Sequence, residues 1–237
     1  MRALRASSRP APEHPASGGY GSRMERLGLT MPECHDAAQA LLERCRRWPA
    51  RDVVRLAQAL VDSRTFDARQ VAYDVLGAHR AALASLRAAD LGVLGRGLDN
   101  WASVDHFASH VTGAVWRLGG IDDARVLRWC DSPDRWWRRL ALASTVSLNL
   151  PSRGGHGDTP RTLVVCEKLV DDRDEMVEKA LSWALRTLIR HDREAVAWFM
   201  DRYRDRVMPR VAREVGQKLA QREMRGRRMR EDEGGWA

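Results

Sequence analysis

Trp101 and Asp105 stand four residues apart in Asn100-Trp101-Ala102-Ser103-Val104-Asp105, a stretch that opens a helix. On a helix that spacing sets a large π face and a carboxylate on one side, one turn apart. A carboxylate stabilises developing positive charge or orients a water, and an indole face attracts a cation. A second indole follows in Lys179-Ala180-Leu181-Ser182-Trp183-Ala184-Leu185-Arg186, and an arginine pair stands in Trp136-Trp137-Arg138-Arg139. A guanidinium fork suits planar anions. Each type also has a structural use: Trp at helical spacing packs cores, Asp caps helices or pairs with Arg, and Arg139 and Lys179 can bridge neighbouring repeats. The elements that carry these side chains decide between the uses.

Those elements are helices throughout. Apolar residues recur with helical spacing from Asp36 to Arg47, Arg51 to Ser63 and Thr65 to Gly77. Further helices are expected at about 80–97, 101–118, 122–130, 134–149, 160–171, 174–190, 192–204 and 208–225, with joints at Trp48-Pro49, Gly77, Gly119-Gly120, Ser132-Pro133 and Pro209. No stretch alternates like a strand. Residues 131–143 align with 171–183 at an offset of about 40, the length of a paired-helix repeat. In each copy an acid, Asp134 or Asp174, falls at an N-cap position and a cation, Arg139 or Lys179, five residues later. The expected architecture is all-α: a curved solenoid of HEAT-like antiparallel helix pairs with a concave face. The run from Pro151 to Pro160 is too rich in Gly and Pro for helix. It reads as a tolerated surface insertion, or as a loop that overhangs the concave face with Arg153 and His156.

Composition bounds the partners. Of 237 residues 44% are hydrophobic, enough for one domain with its own core. Lys plus Arg number 40 against 32 Asp plus Glu, a formal charge of +8 that favours a polyanion. Nucleic acid comes ahead of membrane, because no stretch approaches the roughly 18–20 apolar residues of a spanning helix. All but Lys168, Lys179 and Lys218 of those cations are arginines, a bias that genome composition alone can also produce. Cys34, Cys45, Cys130 and Cys166 lack C-x-x-C spacing and read as reduced, buried thiols.

Residues 1–33, rich in Arg, Ser, Ala, Gly and Pro, are expected to form a disordered extension, with Met24 or Met31 as an equally good start. The folded domain is placed at 34–225 and a disordered tail at 226–237. His106 and His110 have the i, i+4 spacing of helical zinc sites, but the Glu of H-E-x-x-H is missing and no third ligand is evident, so neither a metal nor another cofactor is expected. No glycine-rich phosphate loop and no Gly-x-Ser-x-Gly elbow occurs.

Taken together, Trp101-x-x-x-Asp105, Trp136-x-Arg138-Arg139 and Asp171-Asp172 followed by Lys179-Ala180-x-x-Trp183-x-Leu185-Arg186 resemble the DNA alkylation repair enzymes of the AlkD type, a HEAT-like-repeat family of DNA glycosylases. The likeness covers roughly residues 36–222. It departs at Ala102 and Ser103, where many relatives have a bulkier or acidic residue, and at the longer 151–160 loop. The resemblance implies a basic concave groove on duplex DNA and a monofunctional hydrolase of base excision repair. Such an enzyme cleaves the N-glycosidic bond of cationic N3- or N7-alkylated purines without flipping the base into a pocket. It makes Asp105 the catalytic carboxylate, Trp101 and Trp183 aromatic walls, and Arg139 a phosphate ligand. Arg64, Arg69, Lys179 and Arg186 are added as groove cations. A bacterial cytoplasmic monomer, nucleoid-associated when bound and without an obligate protein partner, is expected. The alternative is a non-catalytic helical-repeat protein that binds DNA structures or a protein.

Overall fold

The computed structural model describes Leu4 and residues 21–233, with side chains of the last helix to residue 221. Its helices are α1 (Met31–Cys45), α2 (Ala50–Asp62), α3 (Phe66–Ala78), α4 (Arg80–Ser85), α5 (Ala88–Leu94), α6 (Trp101–Phe107), α7 (Gly113–Arg117), α8 (Asp123–Cys130), α9 (Arg135–Leu148), α10 (Thr159–Lys168), α11 (Glu175–Leu188), α12 (Arg193–Arg202) and α13 (Pro209–Glu233). Among the described residues there is no strand, only an isolated bridge between Glu25 and Thr65.

Two layers follow from the contacts. One row runs α1, α3, α6, α9, α11, α13, each helix packed on the next; α2, α4, α5, α8, α10 and α12 back it. This is the expected all-α solenoid. Buried aliphatics lie where the two layers meet, as with Val53, Ala57, Leu60 and Val61 of α2 and Ala141, Leu142 and Val146 of α9. Aspartates cap the five consecutive helices α8 to α12. Asp122, Asp134, Asp158, Asp174 and Asp192 each accept from a backbone N–H in the first turn of the helix that follows, each cap worth about 1 kcal/mol. The acids of the sequence repeat are therefore caps.

Four features differ from the periodicity. The expected helix 80–97 is two short ones, because Leu86 and Arg87 are extended and Asp90 starts a new helix by accepting from Arg87 N. The helix at 101–118 is interrupted by a π-helical segment, Ala108–Thr112. Residues 21–33, assigned to a disordered extension, are in part packed. Leu27 and Leu29 are buried, their N–H groups donate to Asp67 at 2.7 and 3.0 Å, and Thr30 with Glu33 closes a capping box on α1. At the other end α13 runs to Glu233, so 226–233 of the expected tail is helical. Residues 1–20 apart from Leu4, and 234–237, lie outside the described residues.

The four cysteines are buried free thiols. Burial pushes Cys34 and Cys130 up to about 12. No helix among the described residues is long and apolar enough to cross a membrane.

Candidate active site

Asn100 fixes the start of α6: its side chain accepts from Ser103 N at 2.9 Å, and the helix then presents Trp101 and Asp105 along one side. Ser103 points inward and accepts from Gln70 Nε2 at 3.1 Å. A small residue there lets α6 settle on α3. Asp134 and Asp174 set the starts of α9 and α11, which bring in Arg139 and Trp183 from the neighbouring repeats.

These side chains meet. A cleft of about 510 Å3 is lined by Trp101, Asp105, Arg139, Glu175, Met176, Lys179, Trp183 and Arg186. Of the two indoles, Trp101 is 38% exposed and Trp183 is half-buried. Trp101 and Asp105 also bound a second cleft of about 470 Å3 that extends toward Arg26, Phe66, His110 and Arg153. Arg153 of the 151–160 loop therefore does border the region, on a one-turn helix, Pro151–Arg153, that ends at left-handed Gly154. His156 is exposed and is not among the lining residues.

The strongest contact in the cleft is a bidentate pair. Arg139 Nε and Nη2 donate to the two Asp105 oxygens at 2.8 and 2.7 Å, and Nη1 donates to Met176 O of α11. Arg139 is only 5% exposed. Its expected use as a phosphate ligand is corrected by this: the fork is spent on Asp105 and a carbonyl, and little of it faces solvent. Burial pushes the Asp105 carboxyl above its ordinary value, while the hydrogen bonds and charge of Arg139 pull it down. Burial prevails in direction, and Arg139 limits the rise.

The remaining cations divide. Lys179 and Arg186 are on the α11 wall, Lys179 Nζ 2.6 Å from Glu175 and Arg186 3.7 Å from Glu214, both partly open to solvent. Arg69 is not a groove residue. It is 2% exposed and donates to Leu94 O, Arg96 O and the Tyr73 hydroxyl, so it holds the carbonyl end of α5. Arg64 is exposed, but it occupies the turn before α3 with φ 55° and is not among the residues lining the cleft. Glu175 and Met176 were not foreseen. Glu175 stands four residues before Lys179, a spacing that could have marked it; a carbonyl partner such as Met176 O leaves no mark in sequence.

The cleft thus offers a half-buried carboxylate backed by a guanidinium, two indole surfaces and two solvent-facing cations. Such a set suits an anionic ligand that carries a positive centre.

No curated protein is matched by the chain. Among solved structures it is similar to one described as a predicted DNA alkylation repair enzyme from Enterococcus faecalis, with a TM-score of 0.68 and 17% identity over 83% of this chain and 89% of that one. At that identity the likeness speaks for the fold. Residues 1–219 match the family described as DNA alkylation repair enzyme, and to that family the chain belongs.

Proposed function

We propose that this family member is a monofunctional DNA glycosylase that removes cationic N3- or N7-alkylated purines from duplex DNA. The observation that supports the reading is the cleft, which Asp105 lines together with Trp101, Trp183, Lys179 and Arg186. Alkylation leaves the purine positively charged, so it departs as a neutral base when the N-glycosidic bond breaks and its electron pair goes to the base nitrogen. Positive charge develops on the deoxyribose. An ionised Asp105 about 4 Å away contributes on the order of 4 kcal/mol at an effective dielectric near 20. Water adds to the anomeric carbon, and its proton passes to the carboxylate or to solvent. Each indole adds roughly 0.5–2 kcal/mol of cation–π attraction. Lys179 and Arg186 take phosphates, and Arg139 keeps Asp105 ionised and aimed.

The test is release of free base from a duplex oligonucleotide containing 7-methylguanine. Wild type should release it well above the spontaneous rate, and Asp105→Asn should lose at least about 100-fold while keeping DNA affinity. The second reading, a DNA-binding protein without catalysis, is favoured by one observation: both Asp105 oxygens already accept from Arg139. A carboxylate retains further lone pairs in such a pair, so the carboxylate remains usable. Salt-dependent binding with no release above the spontaneous rate would decide for that second reading.

A further inference from the structure

His106 and His110 have the spacing of a helical metal site, and the fold supplies what the sequence did not show. Asp74 of α3 lies beside them. Its Oδ1 is 2.7 Å from His106 Nε2 and 3.4 Å from His110 Nε2, and its Oδ2 is 3.6 Å from Nδ1 of His35 on α1. The Asp74, His106 and His110 ligand atoms all lie within 4.8 Å of one another. Three helices that are distant in sequence converge on one carboxylate.

The hydrogen bonding of His110 suits a metal ligand. Its Nδ1 donates to His106 O at 3.0 Å, so in the neutral ring the hydrogen is on Nδ1 and the Nε2 lone pair is on the side of Asp74 Oδ1, 3.4 Å away. In that form two acceptors face each other in a largely covered site, and a proton or a metal ion between them relieves the repulsion. A carbonyl on the far ring nitrogen is also the partner that metal-binding histidines have. The backbone is shaped to the same end. His110 sits in the π-helical segment, whose wider turn brings residues four apart nearly into line, and its ring stacks on His106 at 3.9 Å. Gly77 permits the approach: a Cβ there would lie 2.9 Å from His110 O.

We propose that Asp74, His106 and His110 bind a divalent transition metal of the Zn2+ class, with His35 or a water as the fourth ligand. A tetrahedral zinc with ligands at about 2.0–2.1 Å holds its donor atoms about 3.3–3.4 Å apart. His110 and Asp74 already have that separation, and His106 must retreat by about 0.6 Å to match it. Imidazoles with one carboxylate select zinc-like ions over Mg2+ or Ca2+, which take oxygen ligands. Arg153, the nearby cation, lines the adjoining clefts and is exposed. His35 is 60% exposed and adjusts easily. The ion fastens α1 and α3 to the helix that bears Trp101 and Asp105. It takes no part in the reaction, so the site stands whether or not the glycosylase reading holds.

The test uses the full chain without a histidine tag, stripped with chelator and titrated with Co2+ and then Zn2+. One Co2+ per chain should give visible ligand-field bands that Zn2+ displaces, and Zn2+ should raise Tm. His106→Gln and His110→Gln should each weaken binding by more than about 100-fold, and His156→Gln, an exposed histidine outside the cluster, should leave it unchanged. Absence of bands and of a Tm rise at millimolar metal would overturn the proposal, as would undiminished binding in the two cluster variants. Should either variant fail to fold, X-ray absorption of the zinc-loaded wild type reads the donor set directly: two or more imidazoles support the site, and an oxygen-only shell overturns it.

Discussion

Asp105 is under opposed influences: burial favours its neutral form and Arg139 its charged form. If the ionised carboxylate is the working species, base release should fall as pH drops through a value above the ordinary 3.8. The cationic substrate does not titrate there, so the limb reports the enzyme. Arg139→Gln removes the influence that pulls the carboxyl down, so the limb should move to still higher pH, which a pH–rate profile checks. The same change leaves a carboxylate in a covered site without its partner. Breaking such a pair costs about 3–5 kcal/mol, and Tm in calorimetry should drop by on the order of 10 °C. DNA affinity should change little, because the guanidinium is covered by Asp105 and Met176.

At the scale of elements, the π-helical segment and Gly77 act together. Gly77→Ala puts a methyl 2.9 Å from a backbone carbonyl, where the neighbour is a helix and yields poorly. A loss of about 1–3 kcal/mol is expected, read as a lower urea midpoint. Gly92→Ala in α5 meets nothing within 4 Å and should gain about 0.5–1 kcal/mol instead. The helices themselves were legible, because their apolar spacing repeats and aspartates cap them. The break at Leu86–Arg87 and the π-helical segment were not. Apolar spacing reports which side of a helix is buried, and it is nearly blind to a one-residue change of hydrogen-bond register. Arg69 was misplaced for a related reason: arginine is usually exposed, and nothing local announces that a carbonyl 27 residues on will take its fork. Trp101, Asp105, Lys179, Trp183 and Arg186 were legible as one cleft only through the order of motifs along a repeat. The Asp105–Arg139 pair joins residues 34 apart, beyond any local pattern.

For the whole molecule, a charge of +8 predicts salt-dependent DNA binding, and the residues that produce it can be separated. Lys179→Ala should weaken binding to damaged and undamaged duplexes alike and reduce the slope of log K against log salt by about one. Fluorescence anisotropy over a range of salt measures this; an unchanged slope would place Lys179 with Glu175 alone. A stack of repeats flexes chiefly at the interfaces between them. At the cleft, however, one guanidinium joins α6, through Asp105, and α11, through Met176 O, to its own helix α9. Arg139 thus works as a rivet through three successive turns of a spring. Thermal bending should be concentrated toward the ends of the stack. The middle, where the candidate carboxylate sits, is held by that side chain together with the Arg138–Asp172 pair and the Thr112–Ser144 hydrogen bond.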